Sequence, residues 1–141
     1  MSIVTVINPL RVVLDTNILI SAIGFGGKPR QVLALVLARQ IEIVSSSMLL
    51  AEFDDVVSKK FPELEYNLRK IIRKIKEKSV IVSPGKSIKL SRDEDDNRVL
   101  EAAVEGSCDY IITGDKDLLN LKNYQNIKIV TVEQFLSEYF L

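Results

Sequence analysis

The chain has 141 residues, is 47% apolar, and carries 19 basic against 19 acidic side chains, one Cys and no His. Lacking His, it has no Ser-His-Asp or Cys-His nucleophile system, no imidazole acid–base pair and no zinc site that needs imidazole. A single Cys, Cys108, closes no internal disulfide, which suits a reducing, cytoplasmic setting, and the zero net charge argues against a globally basic nucleic-acid binder.

The segment Met1 to Leu10 has no basic leader and reaches Asn8-Pro9 too soon for a secretory apolar region. Arg11-Val-Val-Leu-Asp15 is a short β-branched run ending on a carboxylate and reads as the first strand. A short helix is expected over Asn17 to Ile23, stopped by Gly24-Phe-Gly-Gly27, which lacks the Gly-Lys-Ser/Thr ending of a phosphate-binding loop. Pro29 opens a second helix to about Gln40. The apolar stretch 32–38 in it is far shorter than the about 20 residues of a membrane span. Ile41 to Val44 is the second strand, and Ser45-Ser46-Ser47 offers an N-cap for a helix to about Lys60. Glu63 to Lys78 carries Leu64, Leu68, Ile71, Ile72 and Ile75 at helical spacing. Ser79 to Val82 is the third strand, Asp93 to Glu105 a helix ended by Gly106, Asp109 to Thr113 the fourth strand, Ile127 to Thr131 the fifth, and Val132 to Phe140 a closing helix. Strands alternating with helices indicate an α/β fold, a parallel sheet covered on both faces, whose ligands sit beyond the carboxyl ends of the strands.

The zero net charge is a cancellation. Residues 56–92 hold 11 Lys and Arg against 3 Asp and Glu, whereas residues 93–117 hold 2 against 9. Within the acidic block and before it, four carboxylates point toward one edge of the sheet. Asp15 and Asp115 each follow an apolar strand, although Asp15 also suits a helix N-cap and Thr113-Gly-Asp-Lys-Asp117 also suits a plain turn leading into a helix. Helical phase supplies the other two. Leu49, Phe53, Val56 and Val57 define one buried face, with Glu52 on its margin and Asp54 and Asp55 pointing away. Val99, Leu100, Ala103 and Val104 define another that includes Asp96, with Arg98, Glu101 and Glu105 on the far side. An edge Glu with its head in water and a first-turn Asp favoured by the helix dipole are the plain alternatives. A shared acid cluster is the sharper reading. Two like charges about 4 Å apart repel by ~4 kcal/mol at an effective dielectric near 20, and a divalent cation relieves this. An all-oxygen set of ligands suits Mg²⁺ or Mn²⁺ rather than zinc.

Leu14-Asp15-Thr16-Asn17, Ala51-Glu52-Phe53, Asp93-Glu-Asp-Asp96-Asn97 and Thr113-Gly-Asp-Lys-Asp117-Leu-Leu119 resemble, in order and spacing, the four signatures of the PIN-domain nucleases. The likeness is to the compact prokaryotic branch that supplies the toxins of toxin–antitoxin pairs, and it runs from about residue 11 to 136 of a single domain, 1–141. It implies a three-layer α/β/α sandwich with a five-stranded parallel sheet and metal-dependent hydrolysis of RNA. By the same resemblance Asp15, Glu52, Asp96 and Asp115 form the acidic site, Asp117 and Asp93 are peripheral acids, and Asn17 and Thr113 are supporting polar groups. A homodimer silenced by an antitoxin protein is also implied.

Such hydrolysis needs an activated water, neutralised phosphoryl oxygens and a stabilised leaving oxygen, all available from metal ions held by carboxylates. A ribonuclease that activates the 2′-hydroxyl through imidazoles is excluded by the absence of His. Lys116, between two acids, and Lys28 and Arg30 after the glycine loop are candidate phosphate contacts, as is the basic stretch Arg69 to Lys78. Two other classes compete. A phosphoryl-transfer enzyme of haloacid-dehalogenase type wants an Asp where this chain has Asn17, and a PIN-fold binding or regulatory module would keep the fold without turnover.

Overall fold

A computed structural model describes residues 8–141, so the leader reading of the first residues lies largely outside the described part. The expected elements form, in order, β1 (Leu10–Leu14), α1 (Thr16–Gly24), α2 (Gly27–Leu37), β2 (Ile41–Ser46), α3 (Ser47–Lys60), α4 (Pro62–Asn67) and α5 (Arg69–Lys78). There follow β3 (Val80–Val82), α6 (Glu94–Glu105), β4 (Tyr110–Ile112), α7 (Lys116–Leu121), β5 (Asn123–Tyr124), β6 (Ile127–Val130) and α8 (Val132–Tyr139). The strands make one sheet in the order β3-β2-β1-β4-β6-β5, parallel except for the antiparallel pair β5 and β6. Among the described residues the sheet therefore has six strands where five were expected. The addition is a two-residue edge strand, Asn123–Tyr124, too short to show an alternating pattern in the sequence.

Both faces are covered, because successive side chains of a strand point to opposite sides. Val12 and Leu14 of β1, Ile41 and Ile43 of β2 and Ile112 of β4 pack with α1, α2, Phe53 and Val57 of α3, Ile72 and Ile75 of α5, and Phe135 of α8. Val13, Val44 and Ile111 pack on the other side with Leu49, Leu118 and the apolar residues of α6. This is the three-layer α/β/α sandwich.

Three local differences from the sequence reading have physical reasons. α2 begins at Gly27 rather than Pro29, which puts Pro29 inside the first turn, where its missing N–H has no helical partner to lose. Gly26 and Gly27 turn the chain into the helix with φ of +80° and +65°, which side-chain-bearing residues rarely adopt. The helix expected over 63–78 divides at Leu68, whose φ of −118° and ψ of 25° leave the helical region. Leu68 N still donates to Leu64 O at 2.9 Å and Ile72 N to Leu68 O at 3.0 Å, so each helix is bonded as far as Leu68 and a new one starts from it. Finally, Glu101 is buried, not solvated. The segment 83–92 lies over that side of α6, and Glu101 accepts from Ile88 N at 2.7 Å and pairs with Arg98 at 2.8 Å.

The close approach of α6 to β2 is set by a residue without a side chain. A Cβ on Gly106 would stand 2.6 Å from Val44 Cγ1 and 3.2 Å from the Ala102 carbonyl oxygen. Val44 is only 1% exposed and cannot move aside. Gly106→Ala is expected to lower stability by about 1–3 kcal/mol through overpacking, read as a shift of the urea midpoint at unchanged slope.

A candidate acidic active site

β1 and β4 are neighbours, while β2 and β6 lie outside them on opposite sides, so the strand order reverses between β1 and β4. Crevices in doubly wound sheets open at such a point, beyond the carboxyl ends of the strands. Asp15 follows β1 there, and Thr113 and Asp115 follow β4. Asp15 is the N-cap of α1, with Oδ1 accepting from Ile18 N at 2.9 Å, and Asp115 is the N-cap of α7, with Oδ1 accepting from Leu118 N at 3.1 Å. Capping occupies one oxygen of each carboxylate, so the cap and site readings of these residues are compatible.

Thr113, fully buried, ties the two strand ends together. Its hydroxyl donates to Asp15 Oδ2 and accepts from Asp115 N at 3.0 Å. On the other side of the cleft, Asp93 caps α6 and holds Asp95 N at 2.9 Å. Asp96 is 6% exposed, and its Oδ2 accepts from Ser91 Oγ at 3.1 Å. Ser91 is fixed in turn by buried Asn97, whose Oδ1 accepts from Ser91 N at 2.8 Å and whose Nδ2 donates to Ser91 O at 3.0 Å.

Asp15, Glu52, Asp96 and Asp115 all line one cleft of about 270 Å³, together with Asn17, Asp93, Asp95 and Lys60. Oxygens of Asp96, Asp115 and Asp117 lie within 4.8 Å of one another. Glu52 stands apart from that trio, beside Asp95 and the Thr16 hydroxyl. Electrostatics follow this division. Burial, then the facing Asp115, pushes the Asp96 carboxyl up to about 6 against the Ser91 hydrogen bond. Burial, then the adjacent Asp95, pushes Glu52 up to about 7 against the Thr16 hydrogen bond. Burial also raises Asp15, opposed by hydrogen bonds from Thr113, Ile18 and Gly114.

Such a site fits a divalent cation by its donor set. It offers only hard oxygen ligands, the neighbouring Asp115, Asp93 and Asp117 help raise the Asp96 carboxyl, and the one ion pair reaching Asp96, Asp115 or Asp117 among the described residues is the 3.8 Å contact between Arg92 and Asp117 at the surface.

The remaining sequence candidates divide. Lys116 and Asn17 line a second opening of about 510 Å³ that shares Asp15 and Asp115 with the first. Lys28 instead lies 3.8 Å from Glu133 of α8, and the Arg30 guanidinium donates to the carbonyls of Ala22 and Ile23 at 3.0 Å each. That places Arg30 at the end of α1 opposite Asp15, where it satisfies the last carbonyls of the helix. Lys76 of α5 is held by Asp54 at 2.7 Å. Asp95 and Lys60 went unread in the sequence. Asp95 carried no signal of its own, because one residue of helix turns it away from Asp96 toward α3. For Lys60 the signal was present, since Glu52, Val56 and Lys60 follow one i, i+4, i+8 ridge.

Fold and site together define a doubly wound α/β protein with a carboxylate-lined cleft at its switch point. The PIN domain matches residues 11–117, and the chain belongs to the PIN-domain family, whose members are in general nucleases. The chain is 33% identical over 143 residues to protein MJ1680 of Methanocaldococcus jannaschii, with 92% of each chain covered. Its fold resembles a chain in the crystal structure of VapBC2 from Rickettsia felis bound to a DNA fragment from their promoter, with a TM-score of 0.59, 18% identity and coverage of 85% of this chain and 97% of that one. The PIN domain of T. brucei RRP44 superposes with a TM-score of 0.49 and 15% identity, covering 94% of this chain and 80% of that one.

Proposed function

We propose that this protein is a divalent-metal-dependent endoribonuclease that cleaves single-stranded RNA and acts as the toxin of a toxin–antitoxin pair. The observation that carries the reading is the convergence of Asp15, Glu52, Asp96 and Asp115 from four separate segments on one cleft at the sheet's switch point. Asp96, Asp115 and Asp117 would hold Mg²⁺ or Mn²⁺. When bound, the cation supplies a Lewis acid that neutralises the phosphoryl oxygens and lowers the pKa of water. Asp15, oriented by Thr113, and Glu52, which lines the same cleft beside Thr16, are left to position the attacking water and accept its proton. Asp93 and Asn17 stand at the rim, within reach of a second ion or of substrate.

The similarity to the VapBC2 chain supports an antitoxin partner, and the proposal also includes assembly as a homodimer, which rests on the motif resemblance alone. The test is a cleavage assay on single-stranded RNA. EDTA should abolish cleavage and Mn²⁺ or Mg²⁺ in excess should restore it. Cleavage that persists in EDTA overturns the metal mechanism, and complete inactivity with both metals favours a binding module that keeps the fold.

A further inference from the structure

The two openings described above share a wall made by Asp15, Asn17 and Asp115. Lys60 lines the first opening and Lys116 the second. Several other lysines are engaged: Lys28 with Glu133, Lys59 with Asp55, Lys76 with Asp54 and Lys128 with Glu138. Lys60 and Lys116 form no ion pair among the described residues, although carboxylates line both openings. Each ammonium is therefore available to an anion entering its own opening.

The acids create the need for these cations. A bound metal ion neutralises the phosphate undergoing reaction, but the flanking phosphates of a polyanion still meet a cleft rim bearing Asp93, Asp95 and Asp117. A cation in each of the two openings would offset that repulsion and hold the strand beside the acids. Lys60 lies eight residues beyond Glu52 on α3, about 12 Å along the helix axis. That distance suits a phosphate neighbouring the reacting one rather than the reacting one itself.

We infer that Lys60, with Lys116 at the second opening, is a positioning residue that binds the backbone of a single-stranded RNA substrate beside the acid cleft. The inference rests on the nuclease reading above and adds the path of the substrate to it. The competing role for Lys60 is a last-turn cation favoured by the helix dipole. Lys59 shares that turn but is tied to Asp55 at 3.1 Å, so Lys59→Gln removes the same helix-end charge without touching the cleft.

The experiment compares the parent, Lys60→Gln and Lys59→Gln on single-stranded RNAs of two to twelve nucleotides, following cleavage on gels and binding by fluorescence anisotropy across a salt series. Lys60→Gln should raise KM for the longest RNA about tenfold while kcat changes less than twofold. Its penalty should grow with substrate length. The slope of log affinity against log salt should flatten by about 0.7, the loss of one phosphate contact. Lys59→Gln should follow the parent. An unchanged KM and salt slope in Lys60→Gln, or equal losses in both variants, overturns the inference. A parent that binds the RNA but never cuts it overturns the nuclease reading instead, and the binding comparison then still decides the role of Lys60.

Discussion

Asp115→Asn and Asp15→Asn are each expected to lower kcat for RNA cleavage on the order of 10³-fold, about 4 kcal/mol of transition-state stabilisation. The loss should come without unfolding. Both residues are helix N-caps, through Leu118 N at 3.1 Å and Ile18 N at 2.9 Å, and Asn caps a helix about as well as Asp. The amide removes the negative charge while keeping one oxygen for the cap. Circular dichroism should therefore match the parent, and the denaturant midpoint should not fall below it, because burial already disfavours the Asp15 charge, while activity collapses. Asp54→Asn and Asp55→Asn are the controls, since these acids face Lys76 and Lys59 on the outside of α3. Their loss should change kcat less than twofold. If Asp15→Asn and Asp115→Asn keep parental activity, neither acid belongs to the reacting site.

The second large effect concerns stability without metal. Burial and the neighbouring acids push the Asp96 and Glu52 carboxyls up to about 6 and about 7, above the ordinary carboxylate range of about 4. A carboxyl whose pKa is higher in the folded state favours folding at low pH, and that contribution is lost as pH rises through the folded value. Metal-free protein should thus lose stability between about pH 4 and pH 7. At pH 7 Asp96→Asn should raise it by an amount on the order of 1 kcal/mol, because an uncharged amide can keep the hydrogen bond from Ser91 Oγ. Metal reverses the ranking. At 100 times its dissociation constant an ion adds about 2.7 kcal/mol to the parent, and less to a variant that has lost a ligand. Melting curves in EDTA and in Mn²⁺ measure both effects. Asp96→Asn no more stable than the parent in EDTA, with an undiminished metal shift, would remove Asp96 from the site.

Much of this arrangement was legible in the sequence, because it depends on local periodicity. Val12 to Leu14 and Ile111 to Ile112 are apolar runs that only a sheet buried on both faces accommodates, so the carboxylates just after them had to emerge at its carboxyl edge. The phase of Leu49 and Phe53 placed Glu52 at the margin of the core, and that of Val99 and Leu100 placed Asp96 inside it. Other features depend on which elements meet, and no single segment encodes that. The polar stretch 83–92 shows no period, yet it covers α6, buries Glu101 and delivers Ser91 to Asp96. Asp95 acquires its role only because α3 packs beside the start of α6 and sets Glu52 against it. Lys28 and Arg30 follow the glycine turn closely in sequence, but α1 carries that turn to the end of the helix away from Asp15. Local pattern determined which side chains are buried and at which strand ends the acids emerge. Tertiary packing decided which of those acids face one another and which lysines reach them, because these neighbours come from segments far apart in the chain.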